Sequence, residues 1–454
     1  MSSKHLLRRA KMHSILDNLN KEQKSIVFSE HKRIFVNAGP GTGKTHTIVA
    51  FVVNLVVNKC VPPHKIRILT FTKQASSMMK KRLRKELGKE VSPKLKVSTF
   101  HSMAYAYMKK RGFLDGRRQA LPADFGRVAK AIARNKNCEL TPKELCDEVM
   151  KLGRMASYNA KKNENYKWFT AFYNKIDVAD LWEFDFLLNK MIEILQNSTS
   201  ELGKQRNSYA YIIVDEFQDC NENQVELLKL LIGRDNNFLF VGDPDQMIYG
   251  WRGAKMSYSV NIKKHFRDVI VKNLTVNYRS GKKIIAAANS LIKHNRDRLP
   301  KIIKSSAQGK GFVDYQNCGT EKVQLAMIGK LLEKTKGNSA VLCYTNQLVK
   351  EVLDFLKDKD LSVRMVGENL ETKIGKKDIC VMTCHASKGL EFDNVFFPYL
   401  VEYFCGNGEA NRRLFYVAVT RAKRNLYLFS IDRFQTSKAY VRCKPSKFLK
   451  EIGF

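Results

Sequence analysis

A glycine-rich segment, A-G-P-G-T-G-K-T at residues 38–45, has the composition and spacing of a phosphate-binding loop. It follows the apolar run R-I-F-V-N and opens a long helical run. Glycines let backbone N–H groups wrap around phosphates, and a helix N-terminus favours the same anions. A small residue fits the first position, where Ala38 replaces the usual glycine. This P-loop pattern predicts that Lys44 contacts the β- and γ-phosphates of a nucleotide and that Thr45 is a Mg²⁺ ligand.

A second segment, I-I-V-D-E-F-Q-D at residues 212–219, places two acids directly after a strand-like apolar run. In phosphoryl transfer, one carboxylate commonly holds Mg²⁺ and another residue orients the attacking water. We therefore expect Asp215 to hold Mg²⁺ through water and Glu216 to polarise the attacking water. On their own the two acids could form a solvated acidic turn. Together with the P-loop they indicate an ATPase whose cofactors are ATP and Mg²⁺.

Strand-like runs alternate with helical segments in two parts of the chain, as is typical of parallel sheets with crossover helices. The pattern predicts an α/β fold with two such units. The runs predicted as strands are residues 33–38, 66–71, 210–216 and 237–243 in the first unit and residues 339–345, 378–384, 394–400 and 425–431 in the second.

Residues 103–205 differ from both units because helical runs dominate there. We interpret this stretch as a mostly helical insertion into the first α/β unit. It contains the basic and aromatic run Y-K-W-F-T-A-F-Y-N-K at residues 166–175, whose rings could stack on nucleotides. Aromatic residues at helical spacing more often form core on one face, with solvated lysines on the other, so both interpretations stay open.

The 454-residue chain is strongly basic, with 80 Lys plus Arg against 44 Asp plus Glu and a formal net charge of +36. Such a charge on a folded chain points to a polyanionic partner, first of all DNA or RNA. A membrane surface is the rival partner, but the sequence offers neither an amphipathic basic helix nor a lipidation signal. With 44% hydrophobic residues the chain can also build substantial cores.

Targeting signals and cysteine spacing give little further direction. The sequence carries no signal peptide and no run of about 18 apolar residues, so we expect no membrane association. The ten cysteines form no C-x-x-C pair, which favours reduced thiols over a zinc ribbon or disulfides. We expect an intracellular protein, cytoplasmic in a bacterial or viral setting or nuclear in a eukaryote.

Further motifs give the chain a resemblance to the superfamily 1 DNA helicases of the UvrD/Rep/PcrA type, in the family's order and over almost the whole chain. These motifs are L-N-x-x-Q at residues 19–23, I-L-T-F-T-K-Q-A-S at 68–76, S-T-F-H-S at 98–102, V-G-D-P-D-Q-M-I-Y-G-W-R-G-A at 241–254, V-N-Y-R-S at 276–280, M-T-C-H-A-S-K-G-L-E-F at 382–392 and R-R-L-F-Y-V-A-V-T-R-A-K-R-N-L-Y-L-F at 412–429.

The resemblance implies two RecA-like domains with ATP between them and a role for each matching residue. Gln23 would read the adenine, Tyr278 would stack on it, and Glu391 would bind the ribose. Arg279 and Arg421 would reach the γ-phosphate, Gln246 would sense it, and Lys388 is a candidate coupling residue. The residues it implies for catalysis are Lys44, Glu216, Gln246, Arg279 and Arg421. The residues it implies for ATP binding are Gln23, Ala38, Gly39, Pro40, Gly41, Thr42, Gly43, Lys44, Thr45, His46, Tyr278, Arg279, Glu391 and Arg421.

For the nucleic acid, the resemblance implies aromatic stacking and contacts to phosphate or sugar. Stacking tolerates any base because every base has a π-face. Taken alone, Trp251 would more often be a core residue, but its motif favours stacking on DNA. The implied stacking residues are Phe71, Tyr249 and Trp251, and the implied phosphate or sugar contacts are Thr99, His101, Arg252 and His385.

The sequence departs from the family in three places. His46 stands where the family usually has an arginine that packs on adenine. Tyr344 also replaces an arginine, so no role is carried to it. Between Arg364 and Gly389 there is no room for the mobile subdomain called 2B. We therefore expect subdomain 1A at residues 1–102 and 206–275, the helical subdomain 1B at 103–205, and subdomain 2A at 276–454.

The leading interpretation is an ATP-dependent translocase and helicase that moves 3′-to-5′ on single-stranded DNA and acts at junctions of single and double strands. A second interpretation is the motor or DNA-sensing subunit of a complex, with a nuclease of an anti-phage system or a replication or repair factor. Such a subunit would show DNA-stimulated ATPase but weak unwinding alone. A third is an RNA-directed motor or a pure nucleic-acid binder.

Overall fold

The computed structural model describes residues 15–454, except residues 136, 156, 308, 360, 368–373, 376 and 436–438. The chain divides into two units. The first unit consists of the described part of Met1–Val36, with Lys44–Gly242 and Tyr249–Lys272. The second unit consists of Asn37–Gly43, Asp243–Ile248 and Asn273–Phe454.

The strands of the first half of the chain are β1 (Arg33–Ala38), β2 (Ile66–Thr70), β3 (Lys96–Thr99), β4 (Arg118–Gln119), β5 (Leu181–Trp182), β6 (Tyr211–Val214), β7 (Asn237–Gly242) and β8 (Ile270–Leu274). Six of them form the first sheet, in the order β3-β2-β6-β7-β1-β8. Strand β2 pairs in parallel with β3 and β6, and β6 pairs in parallel with β7.

Strands β1 and β7 are buried along almost their whole length. Continuous apolar strands of this kind are expected where helices cover both faces of a parallel sheet. The longer helices of the first unit are Lys21–Val27, Lys44–Val57, Lys73–Val91, Phe100–Lys109, Pro122–Ala133, Pro142–Leu152, Tyr166–Val178, Phe184–Asn197, Thr199–Asn207 and Glu222–Leu231. Short helical turns are Pro63–Lys65, Ser92–Lys94, Ser157–Ala160, Phe217–Asp219, Gly250–Arg252, Met256–Val260 and Ile262–His265.

The stretch between β3 and β6 is mostly helical, as the sequence predicts. One detail differs from this prediction. Leu181–Trp182 forms a short strand that pairs in parallel with Arg118–Gln119, and the next helix begins only at Phe184. In helix Tyr166–Val178, three side chains are buried in the local core. The basic and aromatic run therefore supplies core on one face, which supports the structural interpretation of that run.

The strands of the second unit are β9 (Val276–Asn277), β10 (Lys304–Ser305), β11 (Phe312–Asn317), β12 (Ser339–Cys343), β13 (Val363–Met365), β14 (Ile379–Thr383), β15 (Phe392–Phe397), β16 (Ala422–Ser430), β17 (Arg433–Gln435) and β18 (Tyr440–Arg442). Six of them form a sheet in the order β11-β16-β15-β12-β14-β13, and all five neighbouring pairs are parallel. The predicted α/β fold with two parallel sheets is confirmed.

Helices on the second sheet bury a core of aliphatic and aromatic side chains that includes Val341, Val381 and Phe396. This core gathers residues from neighbouring parallel strands, as a doubly covered sheet requires. The helices of this unit are Pro244–Gln246, Lys282–Ile292, Glu321–Lys334, Asn346–Lys357, Glu402–Cys405, Glu409–Val419 and Lys447–Glu451.

The ten cysteines are free thiols, and most of them are buried. Burial raises the pKa of the Cys343, Cys384 and Cys405 thiols well above the ordinary value, so these three stay protonated at neutral pH. Across the described part of the chain, no helix combines the length and apolar character that crossing a bilayer demands.

A buried ion pair anchors the last helix, Lys447–Glu451, to the rest of the second unit. Arg412 donates from Nε and Nη2 to the carboxylate of Glu451, both at 2.6 Å, and from Nη1 to Asn295 at 2.7 Å. Both partners of the ion pair are almost fully buried. A two-pronged pair of this kind is geometrically specific, and removal of one partner leaves a buried charge uncompensated.

We expect Glu451→Ala to lower the free energy of unfolding by about 3 kcal/mol, because the Arg412 guanidinium loses its carboxylate inside the protein. Lys450→Ala, at an exposed position of the same helix, should change it by less than about 0.5 kcal/mol. Urea denaturation followed by circular dichroism measures both values. Equal midpoints for the two variants would show that the pair adds no stability.

Candidate nucleotide and nucleic-acid sites

The loop that joins β1 to helix Lys44–Val57 has the backbone shape of a phosphate cradle. Gly41 and Gly43 have φ values of 63° and 82°, in the left-handed region that glycine tolerates best. The hydroxyl of Thr42 donates to the carbonyl oxygen of Gly39 at 2.8 Å and braces the turn from within. A loop of this shape that runs into a helix N-terminus can bind phosphates through its N–H groups.

Residues that follow β8 donate hydrogen bonds to the backbone carbonyl oxygens of this loop. The Asn277 side-chain amide donates to the carbonyl oxygen of Pro40 at 2.6 Å, and the Tyr278 backbone N–H donates to that of Gly41 at 2.9 Å. A Cβ atom at Gly41 would lie 2.6 to 2.7 Å from Asn277 and Arg279. The structure therefore brings the predicted loop together with Tyr278 and Arg279. Asn277 was missed, although it lies inside the V-N-Y-R-S motif.

The two acids after β6 occupy different environments. Asp215 is buried, and burial together with the charge of Glu216 raises the pKa of Asp215 to about 7, although the charge of Lys44 opposes this shift. Glu216 has left-handed backbone angles of φ 54° and ψ 44°, which are strained for a residue with a side chain. Gln218 Nε2 donates to the Glu216 carboxylate at 2.7 Å and fixes its orientation.

The predicted Mg²⁺ ligands suit that ion chemically. The hydroxyl of Thr45 and the carboxylate of Asp215 are hard oxygen donors, which Mg²⁺ prefers. A cation beside Asp215 would favour its ionised form, so the donor set fits Mg²⁺. Within the described residues, no group of three or more His, Cys, Asp or Glu side chains could hold a metal ion.

In the second unit, the short helix Pro244–Gln246 contains the predicted residue Gln246, which contacts two others. Arg421 Nη2 donates to Gln246 Oε1 at 3.1 Å, and Lys388 Nζ donates to the Gln246 carbonyl oxygen at 3.1 Å. Gln246 and Arg421 are both buried. Arg421 is further oriented by bonds from Nε to Val417 at 2.9 Å and from Nη1 to Leu390 at 3.2 Å.

Arg279 and Glu391, to which the resemblance assigns different parts of ATP, form an ion pair. Arg279 Nε donates to Glu391 Oε2 at 2.7 Å, and Lys423 lies 2.8 Å from Glu391 Oε1. Burial alone would raise the pKa of Glu391, but Arg279 and Lys423 outweigh it and hold the pKa below its usual value. Lys423 was missed because a lysine in a basic motif has no distinguishing pattern. The Tyr278 ring is half exposed, as a stacking residue requires.

Gln23 and His46, two of the residues implied for ATP binding, lie in different surroundings. Gln23 is buried, and its side-chain oxygen accepts from the Asn20 backbone N–H at 3.0 Å in a capping box. Burial, together with the charge of Arg82, lowers the pKa of His46, so its imidazole is neutral at pH 7. His46 therefore does not reproduce the charge of the arginine that the family carries.

Four of the seven predicted DNA-binding residues form an aromatic cluster in the first unit. Phe71 and Tyr249 stack with ring centroids 5.4 Å apart, and Trp251 meets Tyr249 edge-on at 6.2 Å. The guanidinium of Arg252 lies 4.8 Å from the centroid of the Tyr249 ring and 4.5 Å from that of the Trp251 ring. Trp251 is 61% exposed, so it is not the core residue that an isolated tryptophan would more often be.

Thr99 and His101 lie at the start of helix Phe100–Lys109. Thr99 caps this helix by accepting from the Ser102 backbone N–H at 3.1 Å, and His101 Nε2 lies 2.9 Å from a carboxylate oxygen of Asp185. Thr99 also borders a cavity of about 220 Å³, rich in hydroxyls and ammonium groups that suit phosphate. Its lining residues, most of them missed from the sequence, are Lys73, Ser76, Ser77, Lys80, Ser98, Thr99 and Ser102.

His385, the seventh predicted DNA-binding residue, lies in the second unit. It lines a cavity of about 480 Å³ at the carboxyl ends of β12, β13 and β14, together with Thr345, Met365 and Thr383. Tyr344 lines the same cavity and packs edge-on against Phe397 at 5.4 Å.

Comparison with known proteins identifies the sequence family. The model of the UvrD/REP helicase N-terminal domain matches residues 19–267, and two models of the UvrD-like helicase C-terminal domain match residues 272–371 and 378–429. A probable DNA helicase of Mycoplasma pneumoniae is 30% identical, with 96% of this chain and 87% of that protein aligned.

The ATP-dependent DNA helicase PcrA of Staphylococcus epidermidis and that of Staphylococcus aureus are each 28% identical over 78% of this chain. The aligned region covers 52% of each PcrA, so the chain spans about half the length of these relatives. The N-terminal model alone matches more than half of this chain. The chain belongs to the UvrD/REP helicase family, and the prediction of an ATP-dependent DNA helicase is confirmed at the level of that family.

Proposed function

We propose that this protein hydrolyses Mg-ATP at the P-loop and couples hydrolysis to 3′-to-5′ movement along single-stranded DNA and to unwinding at junctions. The observation that carries the proposal is the segment from Gln246 to Arg252. Its first residue is hydrogen bonded to Arg421, and three residues later the chain enters the aromatic cluster. One continuous segment thus links a residue predicted to sense the γ-phosphate to rings predicted to hold bases.

The hydrolytic step needs charge stabilisation and an oriented water. We assign the stabilisation of the negative charge on the transferring phosphoryl group to Lys44, Arg279 and Arg421, because cations placed there stabilise the transition state. Glu216 holds the attacking water, with its carboxylate oriented by Gln218. Mg²⁺, held through Thr45 and Asp215, would neutralise charge on the phosphate oxygens.

Strand binding is assigned to stacking and to phosphate contacts. The exposed Trp251 ring offers a face to bases of any sequence, which a motor that moves along DNA requires, and the buried Tyr249 ring packs edge-on against it. Hydroxyls and lysines around the cavity at Thr99 supply donors for the strand's phosphates. Because phosphate contacts are electrostatic and stacking tolerates any base, we expect DNA affinity to depend strongly on salt concentration and weakly on base sequence.

Direction and unwinding are the finer parts of the proposal. The resemblance of residues 241–254 to the corresponding motif of the UvrD group supports 3′-to-5′ movement. The two C-terminal domain matches are separated by only six residues, 372–377, which supports a compact form without subdomain 2B. A motor subunit that unwinds only with a partner is the second candidate, since the same short connection favours it.

We expect Lys44→Ala to lower the turnover number of the DNA-stimulated ATPase at least about 100-fold, because the phosphates lose a cation used in the transition state. Binding of single-stranded DNA without nucleotide should stay within about twofold. Lys59→Ala, which removes an exposed lysine just beyond the same helix, is the matched control. Phosphate release and fluorescence anisotropy measure the two properties, and normal turnover in Lys44→Ala would refute the site.

Trp251→Ala should weaken binding of a fluorescent oligothymidylate roughly tenfold, because one stacked base is worth about 1–3 kcal/mol. Trp251→Phe should recover most of this affinity, since it keeps an aromatic face. Tyr440→Ala, which removes an aromatic ring of similar exposure in the second unit, should leave the dissociation constant unchanged. If both alanine variants bind alike, the aromatic cluster is not the strand-binding surface.

The direction of movement is measured by strand displacement from duplexes that carry either a 3′ or a 5′ single-stranded tail. We expect displacement from the 3′-tailed substrate only. Displacement from the 5′-tailed substrate alone would reverse the assigned polarity. ATPase activity without displacement from either would favour the second candidate, and the same assay repeated with a co-purified partner would then recover unwinding.

A further inference from the structure

A buried cluster of four charged side chains lies in the second unit beside the predicted γ-phosphate sensor. Lys301 Nζ lies 2.8 Å from Asp243 Oδ1 and 2.8 Å from Asp245 Oδ2, and it donates to Asn37 Oδ1 at 3.0 Å. Arg298 donates to both carboxylate oxygens of Asp245, at 3.2 and 2.9 Å. Three acceptors for three ammonium protons leave the Lys301 head group fully hydrogen bonded.

The cluster is electrically balanced, with two carboxylates against one ammonium and one guanidinium. The side chains of Lys301, Asp243 and Asp245 are at most 1% exposed, so none of these charges is screened by bulk water. Burial acts to lower the pKa of Lys301, but the two carboxylates outweigh it and hold the pKa above its ordinary value. The ammonium therefore keeps its charge at neutral pH.

Asp243 connects this cluster to the sensor. Gln246 Nε2 donates to Asp243 Oδ2, and the Gln246 side-chain oxygen accepts from Arg421 Nη2 at 3.1 Å. The reverse orientation of the amide would set its NH₂ group against a guanidinium and its oxygen against a carboxylate. Both contacts would be repulsive, so the Asp243 charge on one side and the Arg421 charge on the other select one orientation.

We propose that Lys301 is a positioning residue of the ATPase, which acts through Asp243 to hold the Gln246 amide with its oxygen toward Arg421. The ammonium lies 2.8 Å from Asp243 Oδ1 and fixes the position of that carboxylate. Asp243 then fixes Gln246, and Gln246 orients the guanidinium of Arg421. The inference rests on the roles proposed above for Gln246 and Arg421 at the γ-phosphate.

Lys301 is better placed for this role than the other cation of the cluster. Arg298 contacts Asp245, whereas Lys301 contacts Asp245 and also Asp243, which bonds Gln246. Lys301 also bonds Asn37, the residue directly before the P-loop. Loss of its charge would leave an uncompensated buried carboxylate next to the sensor, and displacements of about 1 Å at a reacting centre can cost roughly 100-fold in rate.

The test measures steady-state ATPase at saturating single-stranded DNA for Lys301→Met, Gln246→Ala and the double variant. We expect Lys301→Met to lower kcat roughly 10- to 100-fold, with the KM for ATP changed by less than about threefold, because P-loop contacts are retained. In the Gln246→Ala background, Lys301→Met should lower kcat by no more than about twofold further, since both act through one side chain. Lys304→Met, at an exposed position three residues on, is the matched control.

Circular dichroism establishes that each variant is folded at the assay temperature. If Lys301→Met does not fold, Lys301→Gln takes its place in the same cycle, because it keeps two donors at similar length but no charge. Losses that multiply in the double variant, or an unchanged kcat in the single one, would overturn the inference and leave the proposed function intact. An unchanged kcat in Gln246→Ala would instead remove the assigned sensor, and the inference with it.

Discussion

The turn between β1 and helix Lys44–Val57 is the constraint on which the site depends. Two of its glycines have left-handed φ values, and the carbonyl oxygens of Pro40 and Gly41 need hydrogen-bond donors from outside the turn. Asn277 and the Tyr278 backbone supply those donors. Since Tyr278 and Arg279 directly follow Asn277, satisfying the loop backbone also sets where the predicted adenine and phosphate contacts begin.

Local patterns were sufficient for the parts of the site that are contiguous in sequence. The P-loop, the acids after β6 and the parallel sheets were all predictable, because each depends on residues within a few positions of one another. Lys301, Asn277 and Lys423 were not predictable. Each contacts a partner far away in the sequence, and neither the isolated Lys301 nor Asn277 and Lys423 within their motifs indicate that partner until the fold shows it.

Element boundaries followed the same division. The short strand Leu181–Trp182 was missed inside a run that reads as helical, because its pairing with Arg118–Gln119 is a tertiary contact. Conversely, the run at residues 166–175 could be stacking surface or core on sequence alone, and only packing against helices from the same region decides for core. Exposure decided the opposite way for Trp251, whose ring is mostly open to solvent.

The backbone at Glu216 sets two requirements that no single residue meets. Left-handed angles cost a residue with a side chain about 1–2 kcal/mol, and glycine alone would adopt them freely. Glycine has no carboxylate to offer to water. At position 216 the residue best for stability therefore differs from the residue best for activity. Screens that select only for thermal stability would favour the loss of Glu216. Ancestral or consensus redesign of this protein should keep Glu216 unchanged.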